Sequence, residues 1–153
     1  MNFKIEIEKT PTQPVLSIKK VTSVDNLPQE CGRAYLMILE RLKELGEEPA
    51  DAPFAIYYNM DMENLQVELG FPVSKALPEK GDIKANEIPA GKKATCMHKG
   101  PYKDSEAVYN AMTKWIEENG YEPTGVVYEV YYNSPMDVPE SELLTKIVFL
   151  LKD

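Results

Sequence analysis

The chain has 153 residues, 43% of them hydrophobic, and a net charge of −8. This length allows one compact domain or two small halves that share a core. Its longest strongly apolar run, Ile147 to Leu151, is too short to span a membrane, and its acidity argues against direct nucleic-acid binding, which needs a basic face. The N-terminus alternates polar and apolar residues and lacks the apolar block of a signal peptide. We therefore expect a cytoplasmic protein without membrane or nucleic-acid partners.

The first half of the chain is predicted to contain two strands, a helix and two further strands. Phe3, Ile5 and Ile7 alternate with charged residues, which predicts a strand, and a second strand is expected over 15–21. An amphipathic helix follows, with Asp25 or Asn26 as its N-cap and Gly46 as its C-terminal cap. Strands are then expected over 54–59 and 65–73.

The second half repeats this order. Strands are expected over 83–88 and 92–98, followed by a helix that begins at Asp104 or Ser105 and ends at Gly120. Two final strands are expected over 126–132 and 145–151. The alternation of strands and helices predicts an α+β fold of two β-β-α-β-β halves.

The two halves also share sequence. Residues 42–59 read LKELGEEPADAPFAIYYN, and residues 116–133 read IEENGYEPTGVVYEVYYN, at a constant offset of 74 positions. We expect a single domain, residues 1–153, built from half-repeats at about 1–75 and 80–153. A pseudo-two-fold pairing of such halves would leave a groove between them, which is a natural place for a ligand.

One position breaks the repeat, because Ala55 in the first half corresponds to Glu129 in the second. Glu129 lies in an apolar and aromatic strand, where alternation puts it on one face with Val127 and Tyr131. An unpaired carboxylate is costly to bury in such a strand. Glu129 is therefore either a buried acid that awaits a ligand or a strand residue that faces solvent or is ion-paired.

Aromatic residues are the second signal. Tyr57 and Tyr131 occupy the same repeat position, so both are expected to face the groove from opposite halves and to bind a flat or cationic ligand. Tyr102 follows a Gly-Pro turn and could cover the groove mouth. Trp115 lies on the second predicted helix. For each of these aromatic residues, a place in the core is the alternative interpretation.

Metal and nucleophile signatures are absent. Cys31 and Cys96 lie far apart and are predicted to be buried thiols, and His98 is the one histidine of the chain. No His, Cys and carboxylate spacing suits a metal, and no Walker, GxGxxG, GxSxG or HExxH motif occurs. We expect neither a metal nor a cofactor.

Four motifs in order carry a family resemblance: His98-x-Gly100-Pro101-Tyr102, Trp115-Ile116-x-x-Asn119-Gly120-Tyr121, Tyr128-Glu129-x-Tyr131-x-x-x-Pro135 and Pro139-x-x-Glu142-Leu143-x-Thr145-x-Ile147. Together they resemble the GyrI-like small-molecule-binding domain, which is the effector-binding domain of several multidrug-sensing and AraC-type regulators. The resemblance spans essentially the whole chain and is strongest in its second half.

The resemblance implies a duplicated α+β fold with a ligand groove between the halves. It implies that Glu129 is the groove acid, which in multidrug sensors of this type meets cationic, aromatic drugs. Tyr131, Tyr57 and Tyr102 are then expected in the wall, with Phe149 as a further candidate, and Trp115 matches the family's helix tryptophan. Because no helix-turn-helix segment precedes the domain, we expect a free-standing form.

Three functions follow from this resemblance. The first is the binding or sensing of a small hydrophobic or cationic molecule. The second is hydrolysis of strained electrophilic toxins, as in some free-standing members, with Glu129 as the catalytic general base. The third is a gyrase-inhibitor-like module that binds a protein partner. A related fold binds haem, but His98 alone in a turn does not support a haem ligand.

Overall fold

The structure, a computed structural model, describes residues 3–153. Its elements follow the predicted order, and the α+β class is confirmed. The strands and helices are β1 (Ile5–Thr10), β2 (Gln13–Thr22), α1 (Leu27–Leu45), β3 (Phe54–Tyr57), β4 (Leu65–Pro72), β5 (Lys84–Ile88), β6 (Gly91–Lys99), α2 (Ser105–Glu118), β7 (Pro123–Tyr131) and β8 (Leu144–Leu151). They form two compact units, which we call the α1 unit, residues 11–90, and the α2 unit, residues 3–10 and 91–153.

The α1 unit is a four-stranded antiparallel sheet with one helix. Its strand order is β3-β4-β2-β5. The helix buries Ala34, Ile38 and Leu42, which recur every four residues and therefore lie along one face. The ring of Tyr35 on α1 meets Phe71 of β4 with 5.6 Å between centroids. Because strand side chains alternate, the odd-numbered residues of β4 face α1 and the even-numbered residues lie on the opposite face.

The α2 unit has the same plan, with the strand order β1-β6-β8-β7. Val108, Met112 and Ile116 recur every four residues on α2 and are fully buried in the core of this unit. Each such aliphatic side chain contributes roughly 1.5–3 kcal/mol when it is fully buried. The strand residues of the same core are Ala94, Cys96, Val127, Ile147, Phe149 and Leu151.

The compact units differ from the half-repeats of the sequence at their first strands. β1 pairs with β6 in the α2 unit, and β5 pairs with β2 in the α1 unit. Each of these strands is followed by a two-residue link that starts with proline, Pro11-Thr12 or Pro89-Ala90. The favoured two-residue hairpins need a positive φ at that link position, which proline cannot adopt. Neither strand therefore folds back onto the strand that follows it.

Both helices end in the same way, as predicted from Gly46 and Gly120. After α1, Gly46 has a φ of 68°, its N–H donates to the carbonyl of Lys43, and the N–H of Glu47 donates to that of Leu42 at 2.9 Å. Corresponding bonds run from Gly120 and the residue after it into the last turn of α2. These pairs of bonds are Schellman motifs, which satisfy carbonyls that a helix end leaves open.

The starts of the helices are less regular. Asn26 and Asp104 occupy the cap positions before α1 and α2, but neither side chain makes a capping hydrogen bond. Both residues have helical φ and ψ angles, whereas a side-chain N-cap needs extended ones. Among residues 3–153, neither helix is long and apolar enough to cross a membrane.

Candidate functional site

Glu129 lies in β7, on the face of its sheet that α2 covers. Val127, two residues earlier, is buried in the core that includes Val108 and Met112 of α2. Since side chains alternate along a strand, Glu129 and Tyr131 lie on this same face, as the sequence predicted. The Glu129 side chain is half-buried there.

Two phenol groups hold the Glu129 carboxylate. Tyr109 on α2 donates a hydrogen bond to Oε2, and Tyr131 on β7 donates one to Oε1 at 2.8 Å. Within the described part of the chain, the recorded partners of this carboxylate are these two neutral hydroxyls and no cationic side chain. Its negative charge is therefore partly removed from water without an opposite charge beside it, which is an unfavourable arrangement that a ligand can relieve.

Each of the two phenol rings that hold the carboxylate contacts a further aromatic ring. The ring of Tyr131 meets that of Tyr102 edge-on, with 5.9 Å between centroids and 72° between planes. The ring of Tyr109 is tilted by 58° against Phe149 at 5.6 Å. These distances and angles are in the favourable range for aromatic pairs. The structure thus brings four of the predicted site residues, Glu129, Tyr131, Tyr102 and Phe149, into one cluster.

Tyr102 reaches this cluster from a turn. It begins a short 3-10 turn, Tyr102–Asp104, and is 42% exposed, so it lies at the solvent side of the cluster. The buried His98 ring is within hydrogen-bonding distance of the Pro101 carbonyl, with Nε2 2.9 Å from its oxygen. His98 therefore has a structural partner inside the turn, which fits the prediction that this segment is a turn motif.

Trp115 and Tyr57 lie elsewhere. Trp115 stacks on Tyr121, with 6.2 Å between ring centroids and 9° between planes, and packs against the core of the α2 unit. Tyr57 is half-buried in β3 of the α1 unit. Their roles in ligand binding, and the groove between the halves, stay predictions.

Two residues of the cluster were missed by the sequence analysis. Tyr109 matches Tyr35 in the repeat, but its bond to Glu129 joins a helix to a strand and leaves no local signal. Thr145 is the register partner of Tyr131, is 2% exposed, and its hydroxyl has no hydrogen-bond partner among the described residues. The repeat does give a signal for Thr145: the loop before the last strand is four residues longer in the second half, so the offset there is 78 positions and Val67 occupies the corresponding place.

The buried thiol of Cys96 lies on the same face of the sheet, in the core under α2. Burial raises the pKa of this thiol, so the reactive thiolate is disfavoured. This agrees with the prediction of a buried thiol for Cys96, whereas Cys31 on α1 is only half-buried, so the same prediction is wrong for Cys31.

The model of the GyrI-like small molecule binding domain family matches residues 3–152 of this chain. No curated protein matches the sequence. Among solved structures, the chain is similar to the EcmrR C-terminal domain, with 23% identity, a TM-score of 0.79, and coverage of 100% of this chain and 99% of that one. In the EcmrR–DNA complex, the chain spans 58% of the longer EcmrR chain.

Two further structures have the same fold at lower identity. One is described as a hydrolase from Listeria innocua, with 14% identity, a TM-score of 0.76, and coverage of 97% of this chain and 92% of that one. The other is SAV2435 bound to tetraphenylphosphonium, with 10% identity, a TM-score of 0.67, and coverage of 99% and 94%. At these identities the similarity shows a shared fold.

Proposed function

We propose, since the chain belongs to the family of GyrI-like small molecule binding domains, that it binds an amphipathic organic cation with aromatic or apolar substituents at Glu129. The match to the family model confirms the family resemblance seen in the sequence. One observation carries the proposal: the half-buried carboxylate of Glu129 is held by two neutral phenols and lies among aromatic rings. A cation placed there would supply the missing opposite charge.

The surroundings of Glu129 favour an organic cation over an inorganic one. Tyr131 and the exposed Tyr102 offer ring surface to a ligand, whereas Phe149 is buried in the core and packs against the Tyr109 ring. Each ring face contributes about 0.5–2 kcal/mol to a desolvated cation. A cation with aromatic substituents would also bury apolar area against these rings. An inorganic cation would need several oxygen ligands, whereas this cluster offers one carboxylate.

The ligand of one relative supports the same class. SAV2435 binds tetraphenylphosphonium, a cation whose charge is surrounded by aromatic rings. EcmrR carries a similar domain within a longer, DNA-bound chain. We propose that this chain uses its domain to sense or sequester such compounds, and its net charge of −8 argues against direct contact of the domain with DNA.

Hydrolysis with Glu129 as general base is the alternative function. The similarity to a structure described as a hydrolase supports it. A general base must offer a free lone pair to a water molecule. Tyr109 and Tyr131 each donate one hydrogen bond to one oxygen of Glu129, and each oxygen keeps a second lone pair that can accept a bond from water. The geometry therefore allows either function, and a turnover assay separates them.

The test is calorimetric titration of the protein with tetraphenylphosphonium, with triphenylphosphine oxide as a neutral comparator. We expect the cation to bind and the comparator to bind at least about tenfold more weakly, which corresponds to about 1.4 kcal/mol. Glu129→Gln should remove this preference. Glu118→Gln is the matched control, because it also removes one negative charge, from an exposed position on α2.

Equal affinity of the wild type for the cation and the neutral comparator would overturn the proposal. So would an unchanged affinity in Glu129→Gln. Turnover of a cyclopropane-bearing electrophile by the wild type, abolished in Glu129→Ala, would establish the hydrolase instead.

A further inference from the structure

A second buried carboxylate lies in the α1 unit, at a cavity of about 490 Å³. This carboxylate belongs to Glu68 of β4, which is even-numbered and therefore lies on the sheet face opposite α1. The cavity is within the size range of small-molecule sites. Its charged and polar lining residues are Lys19, Tyr58, Glu68, Asn86 and Glu87, and the remainder are Pro14, Ala76 and Ala85.

Glu68 is held rigidly by neutral donors. It is 3% exposed; its Oε1 accepts a hydrogen bond from Tyr58 Oη at 2.5 Å, and its Oε2 accepts bonds from Ser17 Oγ at 2.5 Å and Asn86 Nδ2 at 3.2 Å. Burial and the bond to Glu68 raise the pKa of the Tyr58 phenol, so it stays a donor. The carboxylate is thus fixed in advance, and a ligand would not have to order it.

Lys19 lines the same cavity as Glu68 and forms no ion pair with it. Lys19 is the register partner of Glu68 across β2 and β4. Its ammonium stands 6.0 Å from the centre of the Tyr58 ring. Glu68 is absent from the ion pairs of the described residues. The Tyr58 ring is therefore a surface that already attracts a cation, and Lys19 is available to an anion.

The corresponding place in the α2 unit is neutralised within the protein. At the offset of 78 positions that relates β4 to β8, Glu68 corresponds to Lys146. Lys146 donates to both carboxylate oxygens of Glu8, at 3.2 and 3.1 Å. One copy of the repeat thus has a charge paired inside the protein, and the other has a carboxylate and an ammonium that face one cavity without pairing.

We propose that this cavity binds a free α-amino acid, with the ligand's ammonium group at Glu68 and its carboxylate at Lys19. A simple amine would leave Lys19 facing a like charge, and a simple carboxylate would face both Glu68 and Glu87. A zwitterion satisfies both signs at once. The small neutral side chains of Pro14, Ala76 and Ala85 leave room for the rest of the ligand.

The experiment is NMR titration of the full chain labelled with ¹⁵N. The probes are L-alanine and L-glutamine, with ethylamine and propionate as single-charge comparators. We expect saturable shifts of the Asn86 side-chain amide and of β5 amides with the amino acids. We expect either comparator to bind at least about tenfold more weakly in the same titration, which is equivalent to about 1.4 kcal/mol.

Two variants test the charges separately. Glu68→Gln keeps the shape of the side chain and should abolish the shifts. Lys19→Met keeps most of the side-chain length and removes the ammonium group near the Tyr58 ring. Because Lys19 is exposed, this variant should fold even if Glu68→Gln does not. Glu129→Gln is the control that should leave amino-acid binding intact, which separates this site from the proposed cation site.

The proposal fails if neither amino acid gives saturable shifts, in which case the Glu68 network is purely structural. It fails equally if ethylamine binds as well as L-alanine, since the site would then be a cation site. Unchanged affinity in Lys19→Met would also overturn it, because the ligand carboxylate would have no partner there.

Discussion

Tyr109 and Tyr35 provide a test of the Glu129 cluster with a built-in control. They occupy the same repeat position on α2 and α1, and each ring meets a phenylalanine at 5.6 Å. Their hydroxyls differ in acceptor, because Tyr109 donates to the carboxylate of Glu129 and Tyr35 donates to the backbone carbonyl of Phe54 at 2.8 Å. Replacing each by phenylalanine keeps the ring and removes the hydroxyl, so the two variants compare a charged acceptor with a neutral one.

The acceptor charge sets the expected loss of folding free energy. A hydrogen bond to a charged group contributes about 1.5–3 kcal/mol, and a neutral one contributes about 0.5–1.5 kcal/mol. Glu129 is half-buried, so solvent screens part of the charge and the lower end of the first range applies. We expect a loss of about 1.5–2 kcal/mol for Tyr109→Phe and of about 1 kcal/mol for Tyr35→Phe.

The assay is urea unfolding followed by circular dichroism, with the slope of the transition checked for each variant. A double-mutant cycle isolates the pair, because Tyr109→Phe should cost about 1 kcal/mol less in a Glu129→Gln background. The reasoning is refuted if the two losses add within about 0.3–0.5 kcal/mol, the range of independent sites. It is also refuted if Tyr35→Phe costs more than Tyr109→Phe.

Three other predictions concern single positions. Gly70→Ala should destabilise the fold by about 3 kcal/mol in thermal unfolding, because a Cβ there would lie 2.2 Å from the Leu16 carbonyl oxygen; Gly32→Ala on α1, where a Cβ meets no atom within 4 Å, should stabilise it by about 0.5–1 kcal/mol, and equal effects would contradict this. Burial raises the pKa of Tyr128 to about 12 from its ordinary value of 10.0, so the folded state keeps a proton that the unfolded state loses. Stability should therefore fall by about 2 kcal/mol as pH rises from 10 to 12, a slope that Tyr128→Phe should reduce in alkaline urea unfolding, and an unchanged slope would count against it. Thr145→Val should stabilise the protein by about 1 kcal/mol in urea unfolding, since the variant removes a buried hydroxyl that has no partner among residues 3–153. A loss of stability would show that the hydroxyl is bonded.

Local features of this fold could be predicted from the sequence. The helix ends follow from Gly46 and Gly120, because a left-handed glycine closes a helix through bonds to its own last turn. The face shared by Val127, Glu129 and Tyr131 follows from strand alternation alone. These features depend on a few neighbouring residues, so sequence patterns contain them.

Features that depend on distant residues could not be predicted in the same way. Glu68 alternates with Leu65, Val67 and Leu69 as a solvent-facing charge would, but it is buried under donors from other strands. The bond from Tyr109 to Glu129 depends on how α2 lies on β7. The pairing of the first strand of each half was only partly unpredictable. The prolines at positions 11 and 89 already exclude two-residue hairpins between each of these strands and the strand that follows it.

Those two prolines limit how one half of the sequence could fold on its own. A fragment that ended near residue 76 would carry β1 without its partner β6, and β2 without β5 along one edge. Each four-stranded sheet needs one strand from the other sequence half. A protein made from one half alone would therefore have to complete its sheet by exchanging the first strand with a second copy of itself.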